Sequence, residues 1–214
     1  MSDTAFEGQD DRALLTSWRA GDRRAGRALV ERHYESIARF MYNKVGDAAQ
    51  DLIQAVFLAC VESRDQFRGD CSFRTFLFSI AHRVLLKHLR RIYRVADRVE
   101  IGEVRVCDLA PSPSAMLQER QEQRLLLEAL RRVPLDCQEV LELHYWEQMI
   151  TEDMAAVLEI PVGTVRSRLQ RGRRLLEQQI AELSASPGLL QSTLANLEGW
   201  AADLRARVGA PHDS

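Results

Sequence analysis

Between Thr164 and Arg174 the sequence places Arg166, Arg168, Arg171, Arg173 and Arg174 with no acidic residue among them. Guanidinium groups take guanine edges bidentately or neutralise phosphates, and Ser167 and Gln170 in the same stretch can hydrogen-bond bases. A solvated helix face usually mixes both signs of charge, so a single-sign run points to a polyanion. A second constellation is the polar glycine loop Phe67-Arg68-Gly69-Asp70-Cys71-Ser72, which leads into Phe73 and Arg74 and then a basic run of Arg83, Lys87, Arg90, Arg91 and Arg94. Loop donors and aromatics can hold an unstacked base while the cations track a strand's phosphates, which needs no catalytic group. Phe76 and Ile80 in this stretch are expected in the core.

Helices must position both sets. Apolar residues recur at helical spacing over Leu14 to Val45, Leu52 to Val61, Phe73 to Leu89, Leu125 to Val133 and Val140 to Leu176, and no stretch alternates as a strand. Thr151 is expected to cap a short helix to Leu158, Pro161 and Gly163 to interrupt, and Thr164 to cap the arginine-rich helix. A helix, a tight turn and an arginine-rich second helix make a DNA-reading helix-turn-helix. The helix around Asp51, Gln54 and Leu58 puts those residues on one face and Leu52, Val56 and Ala59 on another. By itself this reads as an amphipathic packing helix.

The expected fold is all-α, with two small helical domains, Asp11 to Arg94 and Met116 to Leu183. Between them, residues 95–115 mix charges with Gly102 and the Pro111 to Ser114 turn cluster and read as a flexible linker. A linker of roughly 25 residues, counted generously, spans on the order of 80 Å when extended. Residues 184–214 form an extension in which Leu190, Leu194, Leu197, Ala201, Leu204 and Val208 make one apolar stripe beside Trp200. That stripe suits either a terminal structural helix or a docking, self-inhibitory one.

Two strings carry a family resemblance. Pro134 through Leu176, with Pro161-Val162-Gly163-Thr164-Val165-Arg166-Ser167-Arg168-Leu169 at its centre, resembles the fourth domain of bacterial RNA polymerase sigma factors, and the string is characteristic of the extracytoplasmic-function (ECF) group. Asp51 to Leu58 resembles the segment by which sigma factors dock on the clamp helices of the largest polymerase subunit. The resemblance spans about Asp11 to Leu183, and the linker is too short for the helical third domain of larger sigma factors.

The resemblance implies a protein that binds core RNA polymerase and directs promoter-specific initiation, for a stress- or signal-responsive regulon. Its implied partners are core polymerase, promoter DNA and, left open, an anti-sigma factor. It implies minus-thirty-five contacts from Thr164, Arg166, Ser167, Gln170, Arg171, Arg173 and Arg174. Minus-ten contacts would come from Arg68, Gly69, Asp70, Ser72, Arg74, Arg83, Lys87, Arg90 and Arg91, and polymerase contacts from Asp51, Gln54 and Leu58. The sequence departs from the family at Arg83, where Asn is common and implicated in gripping the flipped base, and at Lys87, where Asp is frequent. An Arg at that place stacks on a base or holds a phosphate instead.

Composition bounds the alternatives. A formal charge of −2 gives no overall support to nucleic-acid binding, so any support is local. Cys60, Cys71, Cys107 and Cys137 lie in no metal or disulfide spacing, and the five histidines form no metal-ligand or nucleophile–base pattern. No cofactor, metal or catalytic residue is therefore expected. No apolar run approaches the roughly 18 residues that span a bilayer, and the expected location is the reducing cytoplasm. A stand-alone helix-turn-helix regulator is the alternative, and it leaves the Asp51 to Arg91 motifs unexplained.

Overall fold

The structure is a computed structural model that describes residues 9–93, 101–108 and 121–183. The described residues form eight α-helices and short 3-10 turns, with no β-strand. Helices α1 (Asp11–Arg19), α2 (Arg23–Val45), α3 (Ala49–Ser63) and α4 (Phe73–Tyr93) make the first domain. Helices α5 (Gln121–Arg131), α6 (Leu135–Tyr145), α7 (Thr151–Leu158) and α8 (Val162–Leu183) make the second. The apolar extension after Leu183 lies outside the described residues, as do Arg94 and most of the linker.

Helical periodicity runs through Leu14 to Val45, yet the chain turns between α1 and α2. Asp10 accepts from the Ala13 amide at 2.7 Å to start α1, and Asp22 accepts from the Arg24 amide to start α2. The reversal is made by Gly21 at φ +103°, a backbone state that side chains disfavour. The two helices then pack closely: a Cβ on Gly26 would lie 2.5 Å from the Trp18 indole nitrogen. Trp18 is buried there, with the Arg64 guanidinium 5.2 Å from its ring centre.

The packing face of α3 is rotated from the expected one. Ala49, Ile53, Val56 and Cys60 are buried, whereas Leu52 and Ala59 are only partly covered. Both sets have helical spacing, and the position of α2 and α4 on either side decides between them. Phe73, Leu77, Ile80, Ala81, Leu85 and Leu89 anchor α4 in the core, with the Phe67 and Phe76 rings tilted against each other near its start, 4.8 Å between centres.

In the second domain both expected caps move. Thr151 is the first residue of α7 rather than its cap, and its hydroxyl bonds Glu152. Helix α8 starts at Val162, so Gly163 and Thr164 are inside its first turn. Pro161 supplies the start instead: its carbonyl accepts from the amides of Thr164 and Val165, while its own missing N–H leaves nothing unsatisfied. Glu159 in the left-handed region, φ 55°, ends α7 and makes the tight turn. Along α8, Val165, Leu169, Gly172, Leu176 and Ile180 form the buried face. Gly172 crosses α6 so closely that a Cβ would meet the Leu141 side chain at 3.2 Å.

Residues 101–108, within the segment read as linker, pack on the second domain. Val104 and Val106 are buried, and the Val104 carbonyl accepts from the Leu135 amide at 2.9 Å. Beyond this, the two domains lie against each other, α2 touching α5 and α4 touching α7.

Candidate nucleic-acid interface

Because the α8 core stripe takes one face, Arg166, Ser167, Gln170, Arg173 and Arg174 are left exposed on the other. Gln170 and Arg174 have no side-chain partner among the described residues. Arg166 is only loosely paired, 3.9 Å from Glu152, and Ser167 donates to the Thr164 carbonyl. Arg173 in this row, and Arg168 and Arg171 beside it, are held by groups of the second domain or of the 101–108 segment docked on it. Arg168 pairs with Asp136 at 3.1 Å, and Arg173 donates to the Tyr145 hydroxyl at 2.9 Å and lies over its ring. Arg171 makes a two-pronged pair with Glu103, both bonds at 3.0 Å. That hydrogen bonding holds the Glu103 carboxyl below its ordinary range and pushes Arg171 up. A planar fork that already grips a carboxylate is built to grip a phosphate.

The loop before α4 turns at Gly69, φ +84°, and exposes Arg68, Gly69 and Asp70. Ser72 is spent on the helix: its hydroxyl oxygen accepts from the Thr75 amide at 3.0 Å and shares a hydrogen bond with the Thr75 hydroxyl. Arg19 ties the loop down from α1 by donating to the carbonyls of Arg64 and Phe67. Further along, Arg83, Lys87, Arg90 and Arg91 are exposed on one side of α4. Phe76 is half-buried and Ile80 buried, as core residues.

On α3, Asp51, Gln54 and Leu58 are all exposed, the last 58% so, on the side away from Ile53, Val56 and Cys60. Val61 is also exposed, and Tyr34 stacks on Phe57 at 6.1 Å to extend this apolar surface. An exposed leucine beside a carboxylate and an amide, next to an uncovered apolar patch, is a surface suited to another protein.

The feature that no local pattern announces is the contact between the domains. Glu147, just past α6, pairs with Arg39 of α2 at 2.9 Å and with Arg74 of α4. Glu142 pairs with Lys44, which is fully buried and lies 3.7 Å from the centre of the Phe40 ring. His82 of α4 meets Glu139 at 2.8 Å, Thr75 donates to Asp153 at 3.1 Å, and Arg83 pairs with Glu159 at 3.0 Å. In each of these ion pairs the cation belongs to the first domain and the carboxylate to the second. Burial pulls the His82 imidazole down, but the neighbouring Glu139 carboxylate outweighs it and the net shift is upward. Arg39, Lys44, Glu139, Glu142, Glu147, Asp153 and Glu159 all escape sequence reasoning, since alone each looks like an ordinary helix-surface charge. The one available signal was Lys44, which falls on the apolar side of α2.

Among the described residues no cluster of His, Cys, Asp and Glu could hold a metal ion, and no helix is long and apolar enough to cross a membrane.

Residues 29–95 match the family described as Sigma-70 region 2, and residues 123–176 match Sigma-70, region 4. The chain is 31% identical over 186 residues to the RNA polymerase sigma-H factor of Pseudomonas aeruginosa, covering 82% of this chain and 96% of that protein. It is 27% identical over 183 residues to the ECF RNA polymerase sigma-E factor of Escherichia coli, covering 81% and 95%. Among solved structures, the fold is similar to the sigma factor RpoE of Bartonella quintana in complex with the anti-sigma factor NepR, with a TM-score of 0.58, 22% identity and coverage of 72% and 96%. It is also similar to CnrH in complex with the cytosolic domain of CnrY, with a TM-score of 0.57, 24% identity and coverage of 81% and 99%. The chain therefore belongs to the ECF group of the sigma-70 family, and is an RNA polymerase sigma factor that binds core polymerase and directs promoter-specific transcription initiation.

Proposed function

We propose that three surfaces divide this work. The α3 face of Asp51, Gln54 and Leu58 docks on polymerase. The Arg68 to Ser72 loop with Arg74, Arg83, Lys87, Arg90 and Arg91 takes the minus-ten element. Helix α8, through Thr164, Arg166, Ser167, Gln170, Arg171, Arg173 and Arg174, takes the minus-thirty-five element. Thr164 sits in the first turn of α8, where a backbone or hydroxyl donor suits a phosphate. Ser72 acts on the loop's shape through its bond to Thr75 rather than by reaching a base itself. Units of 11–94 and 116–183 carry the two recognition tasks, 95–115 joins them, and 184–214 is an extension.

The observation that carries this reading is the exposed row Arg166, Ser167 and Gln170 on α8, backed by arginines already fixed in their own domain. The protein has no catalytic step of its own and acts in the cytoplasm, where polymerase and promoter are. Since the RpoE and CnrH structures above are complexes with a second protein, an anti-sigma protein is the partner we assign to the signal-responsive control of this chain.

Polymerase docking is the most direct test. Asp51→Ala with Gln54→Ala should lower capture of core polymerase at least about tenfold, the equivalent of about 1.4 kcal/mol. Helicity measured by circular dichroism should stay unchanged. Undiminished capture moves the docking surface away from α3.

A further inference from the structure

We propose that Tyr145 and His144, at the end of α6, are positioning residues for the minus-thirty-five element: they aim Arg173 at a backbone phosphate without spending its charge. The inference deepens the α8 assignment made above and rests on it. Both residues lie outside the arginine-rich stretch, half-buried in the last turn of α6. They act through Arg173 alone.

The three side chains meet because two helices cross closely. Gly172 lies so near α6 that a Cβ there would meet the Leu141 side chain at 3.2 Å and the Cys137 Cβ at 3.3 Å. With so little between the backbones, the next residue of α8 comes against the end of α6. The Arg173 Nε donates to the Tyr145 hydroxyl at 2.9 Å, and a terminal guanidinium nitrogen lies 3.2 Å from His144 Nε2. An imidazole nitrogen opposite an arginine N–H can only accept. The Tyr145 ring adds a further hold, its centre 5.5 Å from the guanidinium carbon, and His144 meets that ring edge to face at 4.8 Å. These bonds use part of the fork, and its remaining N–H groups stay available for a phosphate.

The neutrality of these partners separates Arg173 from its neighbours on α8. Arg168 and Arg171 are held by the carboxylates of Asp136 and Glu103, so part of their charge is already answered. Arg174 is exposed and has no side-chain partner among the described residues, so it must be ordered at the moment of binding. Arg173 is exposed too, and no carboxylate pairs with it among the described residues, yet a phenol and an imidazole fix its direction. Holding a long side chain in place beforehand removes an ordering cost that otherwise weakens a contact about threefold to tenfold.

The test uses the full chain and a fluorescein-labelled duplex of randomised sequence, since phosphate contacts do not depend on sequence, with affinity read by anisotropy from about 50 to about 200 mM salt. Arg173→Ala should weaken binding about tenfold and flatten the dependence of log affinity on log salt by about 0.9, the share of one phosphate. Tyr145→Phe keeps the ring and removes the acceptor. Combined with His144→Leu, it should weaken binding about fivefold and keep the original salt slope, because the charge is present but no longer aimed. In an Arg173→Ala background the same two changes should have no effect, an outcome that a general loss of fold cannot imitate. An effect that persists in that background, or an unchanged affinity in the Tyr145→Phe, His144→Leu variant, overturns the positioning role alone. No duplex binding by the unmodified chain, or a salt slope untouched by Arg173→Ala, overturns it together with the α8 role of Arg173.

Discussion

Helices α4 and α8 both present arginines proposed for DNA, yet their arginines are held in opposite ways. On α8 the partners come from the same domain or from the linker segment docked on it: Asp136 for Arg168, Glu103 for Arg171 and Tyr145 for Arg173. On α4 they come from across the domain boundary: Glu147 for Arg74 and Glu159 for Arg83. A partner from the same domain stays when the domains separate and fixes a side chain before DNA arrives. A partner from the other domain leaves, and its departure exposes the cation. The same ion-pair chemistry thus pre-organises one surface and covers the other.

The largest break in this comparison is expected at Glu142. Lys44 is fully buried in the interface and relies on that carboxylate, so Glu142→Ala leaves an uncompensated buried ammonium, a penalty of about 3–5 kcal/mol. Because Lys44 regains water when the domains part, the penalty should appear as opening, read as an increased radius of gyration with helicity retained. Asp136→Ala gives the opposite signature. It removes an own-domain partner of Arg168 and should destabilise the second domain, read as a lower melting temperature, without enlarging the particle. If both variants behave alike, the distinction between the two helices fails.

Arg166→Ala sharpens the α8 side. Arg166 is the least tethered arginine in the row that has any partner, its distance to Glu152 being 3.9 Å. If it reads a base bidentately, its loss should weaken binding by about 1–3 kcal/mol and relax preference at one position of a minus-thirty-five library. A uniform loss over all sequences would instead mark a phosphate contact.

How much of this was legible follows the range of each interaction. The arginine-rich helix and its exposed row were readable because helical spacing sorts Val165, Leu169 and Leu176 from Arg166, Ser167 and Gln170 within a few turns. The core roles of Phe76 and Ile80 were readable for the same reason. Cap positions were misread at Thr151 and Thr164, since a hydroxyl looks like a cap wherever it precedes an apolar run, and Pro161 had the better claim to start α8. The rotated packing face of α3 depended on neighbours that spacing does not specify. The cross-domain pairs were not legible at all: His82 and Glu139 are 57 positions apart, and Arg39 and Glu147 are 108 apart.

The smallest expected effect distinguishes the two sides by pH. His82 on α4 faces Glu139 from α6, Glu159 from the end of α7 and Lys44 from α2. Burial opposes its protonation, yet the Glu139 charge and hydrogen bond, with Glu159, more than compensate, while Lys44 works against them, and the imidazole titrates above its ordinary value of 6.5 in the closed chain. In the open chain Glu139 and Glu159 no longer face His82, and their upward pull is lost. The sign follows: a group whose closed-state pKa is raised stabilises the closed chain fully below the open-state value, and loses that contribution as pH climbs through the raised one. Closure should therefore weaken as pH rises from about 6 to 8, the range in which histidine charge changes. Scattering at fixed ionic strength should show a larger particle at the upper end, and His82→Gln should flatten the trend. A pH trend that survives His82→Gln would transfer the effect from this pair to another titrating group.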